Sequence, residues 1–160
     1  FTMQAETGDK YLYTKDELMQ QIATLTGGRA AEDLVFNVET TGASNDIERA
    51  TKLARAMITQ YGMSEEFGMM ALETQSNVYL GGDTALMASD ESAARVDKLV
   101  AQTIASAYRK AKAILETNMD KLHEISKYLL EKETISGKEF MDILGTPKQA
   151  LPEPVPVVTE

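Results

Sequence analysis

The chain has 160 residues, 43% of them hydrophobic and 26% charged, enough for one globular domain with its own core. A net charge of −9 without clustered Lys and Arg argues against nucleic acid or an anionic membrane surface as partners. With no cysteine and one histidine, neither a disulfide framework nor a Cys/His structural zinc site can be built from this chain, and 6% aromatics leave an aliphatic core suited to helix packing.

Phe1-Thr2-Met3-Gln4 alternates like a short β-strand, either a connector or an edge strand able to pair with a peptide. Thr14 followed by Glu17 is a capping box, and Leu18, Ile22 and Leu25 continue at helical spacing. Gly27-Gly28 is expected to end or bend that helix, with a short second helix over Arg29–Phe36. Thr40–Ser44 reads as a loop. Ile47, Ala50, Ala54, Met57, Ile58 and Tyr61 then mark a helix that Gly62 stops. Residues 63–88 lack a period and read as a long loop with room for short strands. From Ser89 the longest stripe begins: Val96, Val100, Thr103, Ala107, Ala111 and Ile114, continued by Leu122, Ile125 and Leu129. Asn118 is expected to break it into two helices. Ser136-Gly137-Lys138-Glu139 is expected to open a last short helix through Phe140, Ile143 and Leu144. All four prolines lie in the last fourteen residues, so 146–160 reads as a disordered, Pro-rich tail after a domain over 1–145. The predicted fold is all-α: a helical bundle with a long hairpin over Ser89–Lys132 and a short N-terminal strand.

The chemistry on offer is narrow. No GxxxxGK[ST] loop is present, and Gly27-Gly28 and Gly81-Gly82 are too short for a phosphate fingerprint. His123 sits mid-helix between Leu122 and Glu124 and reads as a surface histidine. The methionines, Met57, Met63, Met69 and Met70 among them, suit core and loop filling better than a flexible binding face. No apolar run reaches the ~18–20 residues that span a bilayer. The chain opens at Phe1 without an initiator Met and reads as an excised or processed piece.

Asp46 is the residue of interest. On a helical wheel Ala50, Leu53 and Met57 fall within about 40° of it, so a carboxylate heads an apolar stripe. Helix-start chemistry accounts for this if Asn45 caps, Glu48 answers at N3 and Asp46 complements the dipole. The competing reading is an acid aimed at a metal or a substrate.

Three blocks decide between these readings by resemblance. Leu25-Thr26-Gly27-Gly28-Arg29-Ala30-Ala31-Glu32, the stretch from Thr40-Thr41-Gly42-Ala43-Ser44-Asn45-Asp46 to Thr51, and Tyr61-Gly62-Met63-Ser64 resemble the peptidase domain of FtsH-type ATP-dependent zinc metalloproteases, in order and near spacing. Tyr11-Leu12-Tyr13-Thr14-Lys15 is similar to the segment before that family's first helix. Leu80-Gly81 and Val96-Asp97 fit a looser pattern. The resemblance runs from Phe1 to about Leu144. It implies a membrane-anchored homo-hexamer in a bacterial plasma membrane, its peptidase ring facing the cytoplasm, with an organellar inner membrane as the weaker alternative. It implies an ATPase module that feeds unfolded and membrane proteins to a zinc peptidase. It implies that zinc sits on two His of an HExxH helix and on the acid carried over to Asp46, with Glu32 as the weaker candidate. HExxH, its general-base Glu and the ATP site would lie ahead of Phe1. The piece alone is thus expected to be inert and to hold zinc weakly or not at all. A non-catalytic assembly or pseudo-protease subunit is the alternative, and an unrelated helical adaptor a third.

Overall fold

The computed structural model describes residues 12–75, 84–86 and 88–145. The strand expected at Phe1–Gln4, Leu80-Gly81 and the tail from Thr146 lie outside them. The fold is all-α, and the described residues form five helices in chain order: α1 Lys15–Phe36, α2 Ser44–Thr59, α3 Asp90–Thr117, α4 Met119–Lys132 and α5 Gly137–Leu144. A 3-10 turn, Thr41–Ala43, precedes α2, and a two-stranded antiparallel hairpin, β1 Glu73–Gln75 and β2 Thr84–Leu86, lies in the loop before α3. The chain divides into two compact units, Phe1–Glu116 and Thr117–Glu160.

The first unit holds the core. Ile22, Ala50, Ala54 and Val96 are fully buried, joined by Leu18, Met57, Ile58, Val100, Ala107 and Ala111 from the same three helices. These positions repeat at three and four residues, which is why α1, α2 and α3 each present one apolar face. Polar contacts between helices reinforce this. Tyr108 Oη and Lys112 Nζ on α3 donate to Asp33 Oδ2 on α1 at 3.0 and 2.5 Å, and Arg55 on α2 reaches Asp97 on α3 at 2.5 Å. Lys112 and then Tyr108 hold the Asp33 carboxyl below the usual range.

Two expectations about α1 and α2 fail. Gly27-Gly28 does not end α1, which runs unbroken for 22 residues, so no separate second helix starts at Arg29. Two mid-helix glycines cost roughly 1 kcal/mol each relative to alanine. Buried Ile22, Thr26 and Ala30 lie at i, i+4 and i+8 across the pair, and their burial offsets that cost. Nor does Asn45 cap α2. The helix already includes Ser44 and Asn45, its N-cap position is Ala43, and no side chain caps it. The Thr40 hydroxyl instead caps the 3-10 turn just before it, accepting from the Gly42 amide. The apolar face of α2 is also shorter than expected, since Ile47 and Tyr61 are exposed.

Beyond α2 the backbone turns tightly. Gly62 has φ +62, and a Cβ there would lie 3.0 Å from the Gly68 carbonyl oxygen and 3.2 Å from Met69 Cα, so glycine is required on both counts. Ser64 Oγ accepts from the amides of Glu66 and Phe67. Arg95 of α3 pairs with Glu66 and lies over the Phe67 ring. The methionines divide: Met57 is core and Met63 packs on it, whereas Met69 and Met70 are exposed.

In α3 the stripe is buried at Val96, Val100, Ala107 and Ala111 but ends before Ile114, which is exposed just ahead of the unit boundary. The expected break falls at Asn118, with α4 starting at Met119 in the second unit. Leu129, expected to continue the stripe, is exposed.

Within the second unit Ser136 and Glu139 complete the capping box of α5, and Tyr128 Oη donates to Glu139 Oε1 at 2.7 Å. The Ser136 hydroxyl, then Tyr128, hold the Glu139 carboxyl at about 2, against the usual 4.5. A depressed carboxylate stabilises the fold above its unfolded pKa, and that contribution is lost as pH falls from 4.5 through about 2. We expect the Ser136 amide to stay protected at pH 5 and to lose protection only as pH falls through that window. A titration of the Glu139 side-chain carbonyl by NMR checks this, and a midpoint at or above the ordinary glutamate value contradicts it.

Candidate metal-ligand site on the first turn of α2

The site is built from the end of α1, the loop that follows it, and the start of α2. Asn37 ends α1 in the left-handed conformation, with φ 50 and ψ 40. The chain then reaches Thr40, itself extended, where α1 holds it again. Arg29 Nη2 donates to the Thr40 carbonyl oxygen at 2.7 Å. The Thr40 hydroxyl donates to Glu32 Oε1 at 2.7 Å, and the Thr40 amide donates to Glu32 Oε2 at 3.3 Å. All three hydrogen-bonding groups of Thr40 are thereby engaged. Arg29 Nη1 is buried and lies 3.4 Å from Glu32 Oε2, an ionic contact rather than a hydrogen bond. The Thr40 hydroxyl, then its amide and the charge on Arg29, hold the Glu32 carboxyl below its ordinary value against the opposing effect of desolvation.

Asp46 stands in different surroundings. It lies in the first turn of α2, where the helix dipole favours an anion. Its side chain is 46% exposed, and its only ionic partner among the described residues is Arg49, 4.0 Å away. Neither of its oxygens receives a hydrogen bond among those residues. Ala50 and Met57 continue its face into the core, with Leu53 packed against them, as the wheel predicts. One acid of the pair is thus held on both oxygens by protein donors, and the other keeps its lone pairs available. A carboxylate of the second kind suits a metal as one ligand of a set.

His123 is exposed on α4, in the second unit. Among the described residues no group of three or more His, Cys, Asp or Glu is gathered as a metal site would need. No described helix is long and apolar enough to cross a membrane. Sequence reasoning missed Thr40 and Arg29; a Thr eight residues after a helical Glu carries no local signal, because the contact closes through a loop.

Comparison with known proteins decides the family. Residues 1–143 match Peptidase family M41. The chain belongs to that family. It is 54% identical over 144 residues to an ATP-dependent zinc metalloprotease FtsH of Clostridium perfringens, and 51% identical over 144 residues to one of Lancefieldella parvula. Each match covers 90% of this chain but only 20% and 22% of the relative. FtsH 4 of Synechocystis is 46% identical over 149 residues, covering 91% of this chain and 24% of its own. The chain thus spans between a fifth and a quarter of the length of these relatives.

Proposed function

We propose that this M41 chain is part of an ATP-dependent zinc metalloendopeptidase and that Asp46 is the carboxylate it gives to the zinc. The observation that carries this is the contrast between the two acids: Glu32 is held on both oxygens by Thr40, whereas Asp46 meets only a long contact to Arg49. The names of the relatives support zinc and ATP as cofactors of the whole protein. When bound, zinc polarises a peptide carbonyl and activates water. The part of Asp46 is to hold the metal and lower its net charge. The part of α2 is to fix that carboxylate on a helix whose same face, at Ala50 and Met57, is held in the core.

In this reading two histidines and a general-base glutamate come from an HExxH helix elsewhere in the protein, and the ATPase module is separate. The whole protein is a membrane-anchored homo-hexamer in a bacterial plasma membrane, its peptidase ring in the cytoplasm, acting on unfolded and membrane proteins. The stretch described here supplies scaffold and one ligand and is inactive by itself. The test is Asp46→Asn in the full-length protein, read as bound zinc and as proteolysis. A variant that keeps both overturns the assignment. The sequence ahead of Phe1 separates a protease from a non-catalytic assembly subunit, since only the first needs His-Glu-x-x-His.

A further inference from the structure

The contacts around Thr40 run in one direction, from α1 to the turn that launches α2. Glu32 Oε1 accepts from the Thr40 hydroxyl, and the oxygen of that hydroxyl accepts from the Gly42 amide at 3.2 Å. A hydroxyl that donates to an anion becomes a better acceptor, so the two bonds strengthen each other. Gly42 sits against the same atoms: a Cβ there would be 3.3 Å from Thr40 Oγ1 and 3.7 Å from Glu32 Oε1. Directly after Gly42, Ala43 is buried and α2 begins, with Asp46 in its first turn. The Arg29 and Glu32 side chains are 18% and 26% exposed, and both reach out to the exposed Thr40.

We propose that Glu32 is a positioning residue, which sets the stance of the Asp46 carboxylate through Thr40 and the 3-10 turn without touching the metal. This rests on the assignment of Asp46 made above. It makes the loss of an acid on α1 weaken metal binding although that acid is no ligand. Partners that orient a ligand are worth about 10–100-fold in metal affinity. The Thr40 hydroxyl is the link, so removing it is the discriminating change.

The experiment uses the full-length protein in four variants: Glu32→Gln, Thr40→Val, Thr40→Ser and Glu32→Gln/Thr40→Val. Zinc retention is read by chelator competition. Backbone exchange of the peptide covering residues 38–47 is read by mass spectrometry, with α3 peptides as the folding control. We expect Glu32→Gln and Thr40→Val each to speed exchange over 38–47 about five- to tenfold, as for a lost hydrogen bond. Each should weaken zinc retention about tenfold or more. Thr40→Ser, which keeps the hydroxyl, should match the parent. The double variant should be no worse than either single one, because both cut the same link. The proposal is overturned if Thr40→Val keeps zinc and exchange normal while Glu32→Gln loses zinc. Additive losses in the double variant overturn it as well. If Asp46→Asn retains zinc, the ligand assignment falls and takes this proposal with it. If Asp46→Asn loses zinc while Thr40→Val does not, the positioning role alone falls.

Discussion

Asp46→Asn in the full-length protein is expected to abolish most zinc retention and proteolysis while leaving ATP hydrolysis intact. The substitution keeps size and shape and removes one negative charge. An amide oxygen is a weaker ligand than a carboxylate for a divalent cation, and the amide nitrogen offers no lone pair. Loss of groups that only orient a ligand costs about 10–100-fold, so loss of a ligand itself should exceed that range. The fold should tolerate the change, because Asp46 is half-exposed and its ionic contact among the described residues, to Arg49, is long and solvent-facing. The dipole interaction forfeited at the first turn is worth about 0.3–1 kcal/mol, too little to unfold α2. Activity and stability should therefore separate. A variant that loses activity only by melting would show it as a lowered Tm, whereas the ligand role predicts a nearly unchanged Tm with zinc missing.

Ile22→Ala is expected to give the largest stability loss of any single truncation in the first unit. Ile22 is fully buried on α1, among the largest side chains with no exposed surface. Removing its outer carbons leaves a cavity between three helices that share one core, and such changes cost about 2–5 kcal/mol. For a unit of this size each kcal/mol lowers Tm by roughly 4–8 °C. Thermal unfolding followed by circular dichroism should fall by roughly 10 °C or more. A shift of less than about 3 °C would mean that Ile22 does not meet the packed surroundings described. The same truncation at exposed Ile114 serves as the comparison and should cost little.

Features that close within four residues were legible in the sequence. The capping box at Thr14/Glu17 forms as its i, i+3 spacing predicts, and the last helix opens after Ser136 as expected. The stripe from Val96 to Ala111 and the break at Asn118 follow from the period of the apolar residues. The failures share one cause, which is distance along the chain. Gly27-Gly28 looks like a helix end when propensity is summed locally, but burial of Ile22, Thr26 and Ala30 against other helices carries α1 through. Asn45 looks like a cap because it precedes Asp46 and Glu48, but α2 runs on directly from a 3-10 turn that Thr40 caps, and no side chain caps α2 itself. The link between Asp33 and Lys112 spans 79 residues and has no sequence signature at all. Asp46 was legible as a position, and the resemblance gave it a role. What the sequence did not reveal is that Glu32, the rival acid, is already engaged by Thr40.

The unbroken course of α1 has a consequence for which changes in length the chain can absorb. Ile22 faces the core and Arg29 and Glu32 face Thr40 on one continuous helix, so the two functions are locked in rotational phase. Each residue added or removed between them turns one face about 100° against the other and shifts it about 1.5 Å along the axis. A helix broken at the glycine pair would absorb such a change in its joint. This one transmits it in full, to the turn that carries Asp46. The interval from Ile22 to Glu32 therefore behaves as a ruler, in which the number of residues is fixed independently of which residues they are at its exposed positions.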